Sequence, residues 1–515
     1  MAEHIRTAAV LGSGVMGSAI AAHLAGAGIR VHLLDIVPPD LSDADKKDPK
    51  ARNRLAQSGI EGALKAKPAA FYDPDAARLI TPGNLDDHLT RLGECDLVIE
   101  AVIERLDIKK SLFGKVAKVL GPRAILASNT SGLSIAEMSA SLPTDLQPRF
   151  LVMHFFNPVR YMRLLELVQG PKTDPKVMAR MAALGELLGK GIVYGKDTTN
   201  FVANRIGVYA MMQTMKVMAD DGLTIEQVDK ICGEPMGRPA SAVFRTGDIV
   251  GIDTLVHVAK NCFDNLPKDE ERDVFKIPAF VQQMVEKKLL GQKTKAGFYK
   301  KEGSDILVLD PKTLSYRQQE KVRFDSLGAA KKVEDTGERL KGLVAADDVA
   351  GKFAWKVLAR TLAYTARRVG EIADDLVNID RALRWGFNWE QGPFEAWDAS
   401  GVRASVERMK KDGIDVPKWV VEMLASGRER FYDGPEAQRT VYDVPKRAAA
   451  KMPSDPRQIR LKALHEDKTR VVRDTLGASL VDLGDGCLCL EVHTKMNTID
   501  GDVIEMMDAA VDEAE

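Results

Sequence analysis

Ile5-Arg-Thr-Ala-Ala-Val-Leu11 runs straight into Gly12-Ser-Gly-Val-Met-Gly17, and Val31-His-Leu-Leu-Asp35 follows after a stretch rich in alanine. The first run is short and apolar, as a strand buried on both faces is. Ala19 to Ala27 is small and helix-favouring, and Gly28 stands where a helix would close. Val31 to Asp35 is a second strand ending in an acid. Strand, tight turn, helix and strand in this order predict an α/β domain with a parallel sheet.

Gly12, Gly14 and Gly17 fit G-x-G-x-x-G in the right context. The first glycine permits the turn, the second lets a pyrophosphate approach the backbone amides, and the third lets helix and strand pack closely. The pyrophosphate would sit at the positive end of the helix. Asp35 would accept the ribose hydroxyls and repel a 2′-phosphate, so NAD is expected over NADP. The competing reading is a packing turn with a surface acid. The unit is therefore expected to be Rossmann-like.

The whole chain sets the frame. Its 515 residues suggest three or four domains at roughly 150 residues each. Hydrophobic residues make up 45% and charged residues 29%, which excludes a disordered chain. Lys and Arg total 73 against 74 Asp and Glu, which argues against a nucleic-acid binder relying on bulk charge. No apolar stretch reaches the roughly 18 residues of a membrane helix. The N-terminus does not read as a signal peptide. Five cysteines (Cys95, Cys232, Cys262, Cys487, Cys489) never form C-x-x-C, so neither a disulfide framework nor a metal site is expected. A cytoplasmic location is the simple reading.

Further strands are expected at Cys95 to Ala101, Ala124 to Ala127, Phe150 to Phe156 and Leu164 to Val168. Asp40 to Pro74 is polar and expected to be helical and solvated. From about Thr198 the pattern becomes helical. Phe201-Val-Ala-Asn-Arg205 is echoed by Lys352-Phe-Ala-Trp-Lys356 at an offset of 151. Asp229 and Asp380 each follow 25 residues behind Asn204 and Trp355. A second helical copy is expected over 350 to 435, against the alternative of chance similarity between amphipathic helices. The expected divisions are 1–197 α/β, 198–300 helical, 301–347 spacer, 348–435 second helical copy, 436–474 linker and 475–515 a last segment. That segment reads as a hairpin around Gly484-Asp-Gly486 and an amphipathic helix, too small to hold its own core.

His154 lies in Leu151-Val-Met-His-Phe-Phe-Asn-Pro158. A lone histidine on an apolar strand is usually a satisfied core residue. Glu166 changes this, because a carboxylate within Leu164-Leu-Glu-Leu-Val168 needs a partner. A hairpin across Asn157-Pro158 would make the two a base and its orienter. Ser128-Asn-Thr-Ser-Gly132 reads equally as an N-cap with a turn and as donors at the carboxyl end of a strand. Asn204 reads equally as a ligand contact and as an ordinary helix residue.

With Gly12-Ser-Gly-Val-Met-Gly17, Asp35, Ile99-Glu-Ala-Val-Ile-Glu104, Lys109, the 128–135 stretch, His154-Phe-Phe-Asn-Pro158, Glu166, Phe201 to Ile206 and Lys293 to Tyr299, residues 4 to 300 resemble the L-3-hydroxyacyl-CoA dehydrogenases of β-oxidation. The resemblance implies that His154 takes the 3-hydroxyl proton and Glu166 orients it. It implies that Ser131 and Asn204 hold the substrate oxygens and the nicotinamide side. Met16, Asp35, Glu104, Lys109 and Asn157 would line the NAD site, and an acyl-CoA is the implied substrate. The second copy resembles fused dehydrogenases with two C-terminal domains. It carries Trp355 in place of Asn204, so it is expected not to be catalytic and to supply a dimer-like contact within one chain. Residues 475–515 resemble the start of an enoyl-CoA hydratase (crotonase-like) domain, with His493-Thr-Lys-Met-Asn497 departing from the pattern. The chain is not expected to hydrate enoyl-CoA by itself. A thiolase partner follows at the level of the family only.

Three alternatives compete. The β-hydroxyacid dehydrogenases also open with G-x-G-x-M-G, but use a lysine where this chain has Asn204. The same fold acting on another hydroxy acid is the second. An inactive fragment of a bifunctional hydratase/dehydrogenase, or an NAD-sensing scaffold, is the third.

Overall fold

The apolar run that opens the sequence becomes a strand with four of its five residues buried. In the computed structural model, which describes residues 4–453, 455 and 457–515, it starts a regular α/β succession. The elements are β1 (Thr7–Leu11), α1 (Val15–Gly26), β2 (Arg30–Asp35), α2 (Pro49–Arg52), α3 (Arg54–Lys65), β3 (Ile80–Asn84), β4 (Leu97–Glu100), α4 (Leu106–Val116), β5 (Ile125–Ser128), α5 (Ile135–Ala140), β6 (Phe150–Phe155), β7 (Leu164–Gln169), α6 (Pro175–Leu187) and β8 (Gly191–Gly195). The eight strands form one sheet in the order β3-β2-β1-β4-β5-β6-β7-β8. Pairing is parallel up to β6, antiparallel between β6 and β7, and parallel again to β8.

Strand alternation splits the core into two layers. Val10, Ile99, Met153, Leu165 and Leu167 face one cluster, closed by Ile20, Leu24 and Met181 of the helices. Leu11, Val98, Leu126, Val152 and Val168 face the other, with Phe113, Met138 and Phe201. The stretch from Asp40 to Pro74 is less helical than expected. Its helices stop at Lys65, and α3 buries Ala56, Ile60 and Ala63 rather than being fully solvated.

Helices α7 (Ala203–Asp221), α8 (Ile225–Cys232), α9 (Phe244–Val250), α10 (Ile252–Asn265) and α11 (Ala279–Glu286) follow. The span expected as a spacer is ordered. It holds a meander of β9 (Tyr299–Glu302), β10 (Asp305–Leu309) and β11 (Tyr316–Arg317), then α12 (Asp325–Ala330) and α13 (Thr336–Ala345), which buries Leu340, Leu343 and Val344. Helices α14 (Val349–Arg368), α15 (Leu376–Gly386), α16 (Pro393–Ser400), α17 (Val402–Lys411) and α18 (Lys418–Ala425) come next.

Local hydrogen bonds repeat between the two helical stretches. Thr224 caps α8 by accepting from Gln227 N, and Asp375 caps α15 by accepting from Asn378 N, each 151 residues on. Asp229 accepts Phe244 N at 2.9 Å, and Asp380 accepts Phe394 N at 2.9 Å. Helices α7 and α14 pack on each other, with an ion pair at each end, one of them to Glu371 just past α14. Arg205 Nη2 lies 3.2 Å from Glu371, and Lys356 Nζ lies 2.5 Å from Asp221. Tyr209 and Tyr364 stack between them at 3.7 Å, within 3° of parallel.

The chain divides into two compact units, one ending at Glu422 and one beginning at Met423. The division falls inside the span expected as the second helical copy. The second unit contains β12 (Tyr432–Asp433), β13 (Thr440–Asp443), β14 (Ala448–Lys451), α19 (Leu461–Glu466), β15 (Val471–Asp474), β16 (Ala478–Gly484), β17 (Cys487–Val492) and α20 (Gly501–Ala514). The expected hairpin is β16 and β17, and β15, which falls in the expected linker, pairs with it as a third strand. No helix among the described residues is long and apolar enough to cross a membrane.

Candidate active site

The three motif glycines meet three different surroundings. Gly12 has φ +99°, and a Cβ there would press on Ala101 O at 2.7 Å. At Gly17 a Cβ would overlap the Gly12 carbonyl oxygen. At Gly14, the N-cap just before α1, a Cβ would meet nothing within 4 Å. The loop is thus closed where it touches the protein and open at the helix end, which is the shape a pyrophosphate requires. β1 and β4 are neighbours in the sheet although β2 and β3 intervene in sequence. The loops that leave them, at Gly12 and Ala101, abut at this switch point.

Asp35 closes β2 and holds the loop. Its Oδ2 accepts Ser13 N at 2.6 Å and Ser13 Oγ at 2.5 Å. Its other oxygen accepts Ile36 N at 2.7 Å. Met16 is half-buried in the first turn of α1 against the sheet.

The end of β4 carries a buried ion pair. Lys109 Nζ lies 2.6 Å from Glu100, with side-chain exposures of 1% and 0%. Glu100 also accepts Ser128 Oγ and Val102 N, so its oxygens are satisfied. Lys109 reaches Glu104 at 3.4 Å. Glu104 in turn accepts Thr130 Oγ1 at 2.5 Å and Ser131 N at 2.8 Å. Glu104 and Lys109 therefore shape the loop after β5.

His154 and Glu166 stand directly opposite across the antiparallel seam. Period-two alternation puts both on the face shared with Val152, Val168 and Phe201. Nδ1 of His154 lies 2.7 Å from Glu166 Oε2. The other Glu166 oxygen accepts Ala203 N at 2.8 Å and Val202 N at 3.2 Å, at the start of α7. A carboxylate facing three donors accepts from each, so Nδ1 carries the proton and Nε2 is left as the acceptor. The imidazole is flanked by Phe156 at 4.5 Å and Phe201 at 5.8 Å between ring centroids.

Ser131 is half-buried, and its hydroxyl takes no hydrogen bond among the described residues. Asn204, the second residue of α7, is likewise half-buried with its amide unengaged among them. Gly132 packs so closely on Asn200 that a Cβ would lie 2.7 Å from Asn200 N, which brings the Ser131 loop against the segment leading into α7. Asn157 is exposed in the turn after β6. That turn is steadied by Lys190, whose ammonium donates to the Val159 and Met162 carbonyls. Burial lowers Lys190 to about 8.

Sequence reasoning assigned no individual role to Glu100, Asn129 or Asn200. Asn129 Oδ1 accepts Phe155 N at 2.9 Å, tying the loop after β5 to the strand of His154. Asn200 Nδ2 donates to Val258 O and contacts Cys262 Sγ, and its oxygen accepts from Asn261. Burial pushes the Cys262 thiol up to about 11. Glu100 was detectable: Leu97-Val-Ile-Glu100 is a carboxylate in an apolar strand, the same signal that picks out Glu166.

Comparison with known proteins finds one family along residues 7–301. The model of the 3-hydroxyacyl-CoA dehydrogenase NAD binding domain matches residues 7–198, and that of the 3-hydroxyacyl-CoA dehydrogenase C-terminal domain matches residues 201–301. A Bacillus subtilis protein described as "Probable 3-hydroxyacyl-CoA dehydrogenase" is 45% identical over 100% of this chain, which spans 66% of that relative. A Deinococcus radiodurans protein of the same description is 48% identical over 58% of this chain and 83% of its own length. The 3-hydroxybutyryl-CoA dehydrogenase of Escherichia coli shares the fold with a TM-score of 0.60. It is 22% identical and covers 82% of this chain and 100% of its own. With an NAD-binding domain on the sheet and the matching C-terminal domain directly behind it, the chain belongs to the 3-hydroxyacyl-CoA dehydrogenase family.

Proposed function

We propose that the chain oxidises (S)-3-hydroxyacyl-CoA to 3-ketoacyl-CoA, reversibly, with His154 as the base and Glu166 as its orienter. The observation that carries this is the 2.7 Å contact from His154 Nδ1 to a fully buried carboxylate. Nε2 of His154 takes the proton of the 3-hydroxyl. Glu166 stabilises the imidazolium that results and keeps the ring in the accepting tautomer. NAD held on the cofactor side would supply the hydride acceptor for C3. The unengaged Ser131 hydroxyl and Asn204 amide would hold the substrate oxygens and the nicotinamide side. Gly12, Gly14, Gly17, Met16, Asp35, Glu104, Lys109 and Asn157 form the cofactor side. Among them Gly14 offers the open approach and Asp35 the ribose acceptor.

The helices from α14 to α18 read as a second helical domain, and the reciprocal α7–α14 contact as a pseudo-dimer within one chain. Trp355 stands at the place of Asn204 and spends its indole N–H on Asp412 at 2.6 Å, so this copy is not catalytic. Residues 475–515 read as a crotonase-like segment.

The test is NADH oxidation with acetoacetyl-CoA. The wild type should turn over, and His154→Ala should lose about 10²–10⁴-fold in kcat. Binding of NADH without turnover of any acyl-CoA would sink this substrate reading and favour another hydroxy acid.

A further inference from the structure

The strand β17 has two unlike faces. Leu488, Leu490 and Val492 pack into the small core of the second unit with Ala478, Leu480, Val503 and Met506. The alternate residues Cys487, Cys489, Glu491 and, one place past the strand, His493 share the other face. All four are metal-ligating residue types. Helix α19 packs on β16 and brings His465 to the same side. Its Nε2 lies 2.6 Å from Glu491 Oε2. The His465 and His493 rings are 6.1 Å apart between centroids. One donor atom each from His465, Glu491 and His493 lie within 4.8 Å of one another.

We propose that His465, Glu491 and His493 form a binding site for a divalent first-row transition metal, with Zn²⁺ as the best-fitting ion. Two imidazoles and one carboxylate are the borderline donor set that such ions take. Metal–ligand bonds of about 2.0–2.2 Å in a tetrahedron place donor atoms roughly 3.4 Å apart. The 2.6 Å contact between His465 and Glu491 and the 4.8 Å limit of the cluster bracket that spacing. Small side-chain rotations would therefore seat an ion. His493 is exposed, so the remaining coordination position faces water.

The surroundings suit the same role. Ser479, the register partner of Glu491, contacts His493 Nε2 at 2.5 Å and donates to Asp474 at 2.6 Å. Such a carboxylate–hydroxyl–imidazole chain orients a ligating histidine. Among the described residues the charged-group partner of Glu491 is His465, and no lysine or arginine competes for it there. An ion held by these residues would cross-link α19 to β17 in a unit with few buried apolar side chains. Binding would then add to its stability. Cysteine spacing alone gave no hint of this, because the donors are histidines brought together by the sheet and α19.

The test uses the full chain, stripped with a chelator and dialysed against Zn²⁺. Bound metal is counted by mass spectrometry, and Co²⁺ absorption serves as a second readout. One equivalent should be retained. His465→Ala, His493→Ala and the near-isosteric Glu491→Gln should each weaken binding at least about tenfold, and Ser479→Ala about 10–100-fold. The Cys487→Ser/Cys489→Ser chain should keep the metal. Far-ultraviolet circular dichroism selects the variants that remain folded, with Glu491→Gln as the mildest. Uptake by the wild type no greater than by the His465→Ala/His493→Ala chain would overturn the proposal. So would uptake that follows the cysteines instead of the histidines.

Discussion

The carboxylate of Glu166 accepts the backbone N–H of Ala203 at 2.8 Å, so the residue that holds His154 is itself held by the first turn of α7. The positive end of that helix favours a negative partner. Replacing Glu166 with glutamine keeps the shape and an oxygen for Ala203. It also offers an amide N–H to His154, which drives the ring to the tautomer that cannot accept a proton at Nε2. Glu166→Gln should lower kcat with acetoacetyl-CoA about a hundredfold or more. The KM for NADH should stay within about twofold, since Glu166 lies outside the cofactor loop. An unchanged kcat would remove the orienting role.

The glycine loop separates binding from stability. Gly14→Val adds a side chain where there is open space, so it should leave the melting temperature near that of the wild type while raising the KM for NAD. Gly17→Ala drives a Cβ into the Gly12 carbonyl and should cost about 1–3 kcal/mol or more. Denaturant unfolding and NAD titration of the two variants side by side check this.

Lys109 tests the buried ion pair. Lys109→Met would leave Glu100 charged and without its counter-ion at full burial, at a cost of about 3–5 kcal/mol. The Lys109→Met/Glu100→Gln chain should recover much of that loss. Equal instability of the single and double variants, measured in urea, would show that the pair is not the cause.

Asp248 gives a pH signature. Burial outweighs the two backbone hydrogen bonds it accepts from Phe298 and Tyr299 and raises it from 3.8 to about 7. The native state then holds a proton that the unfolded chain has lost. Its contribution to stability is fully present below about pH 4, falls as pH rises towards 7, and is flat above. Asp229, raised to about 6 chiefly by burial, acts in the same direction. Between about pH 5 and about pH 8, the stability of Asp248→Asn relative to wild type should improve by on the order of 1–3 kcal/mol. A pH-independent difference would contradict the raised value.

Much of this was legible in the residue order, and the exceptions have physical reasons. Alternation of two in Phe150 to Phe155 and Leu164 to Val168 put His154 and Glu166 on one face once an antiparallel turn joined them. The glycine loop was legible because its three positions carry different steric demands. The 301–347 stretch was not, because Leu340, Leu343 and Val344 keep helical spacing among many charges and their burial depends on distant helices. The approach of Ser131 to the start of α7 depends on Gly132 packing against Asn200, a contact between residues 68 apart that no local pattern announces. Asn204 could be read either way for the same reason.

The reciprocal contact of α7 with α14 has a thermodynamic consequence. Two separate subunits joined by such a surface would come apart on dilution, at a point set by their dissociation constant. Here both helices belong to one polypeptide, and the encounter is a first-order event governed by the effective concentration that the intervening chain imposes. The Tyr209–Tyr364 stack and the paired charges at either end therefore persist at any protein concentration. The sheet strand that carries Glu166 and the helix that anchors it are braced equally well in a dilute cell extract and in a concentrated one.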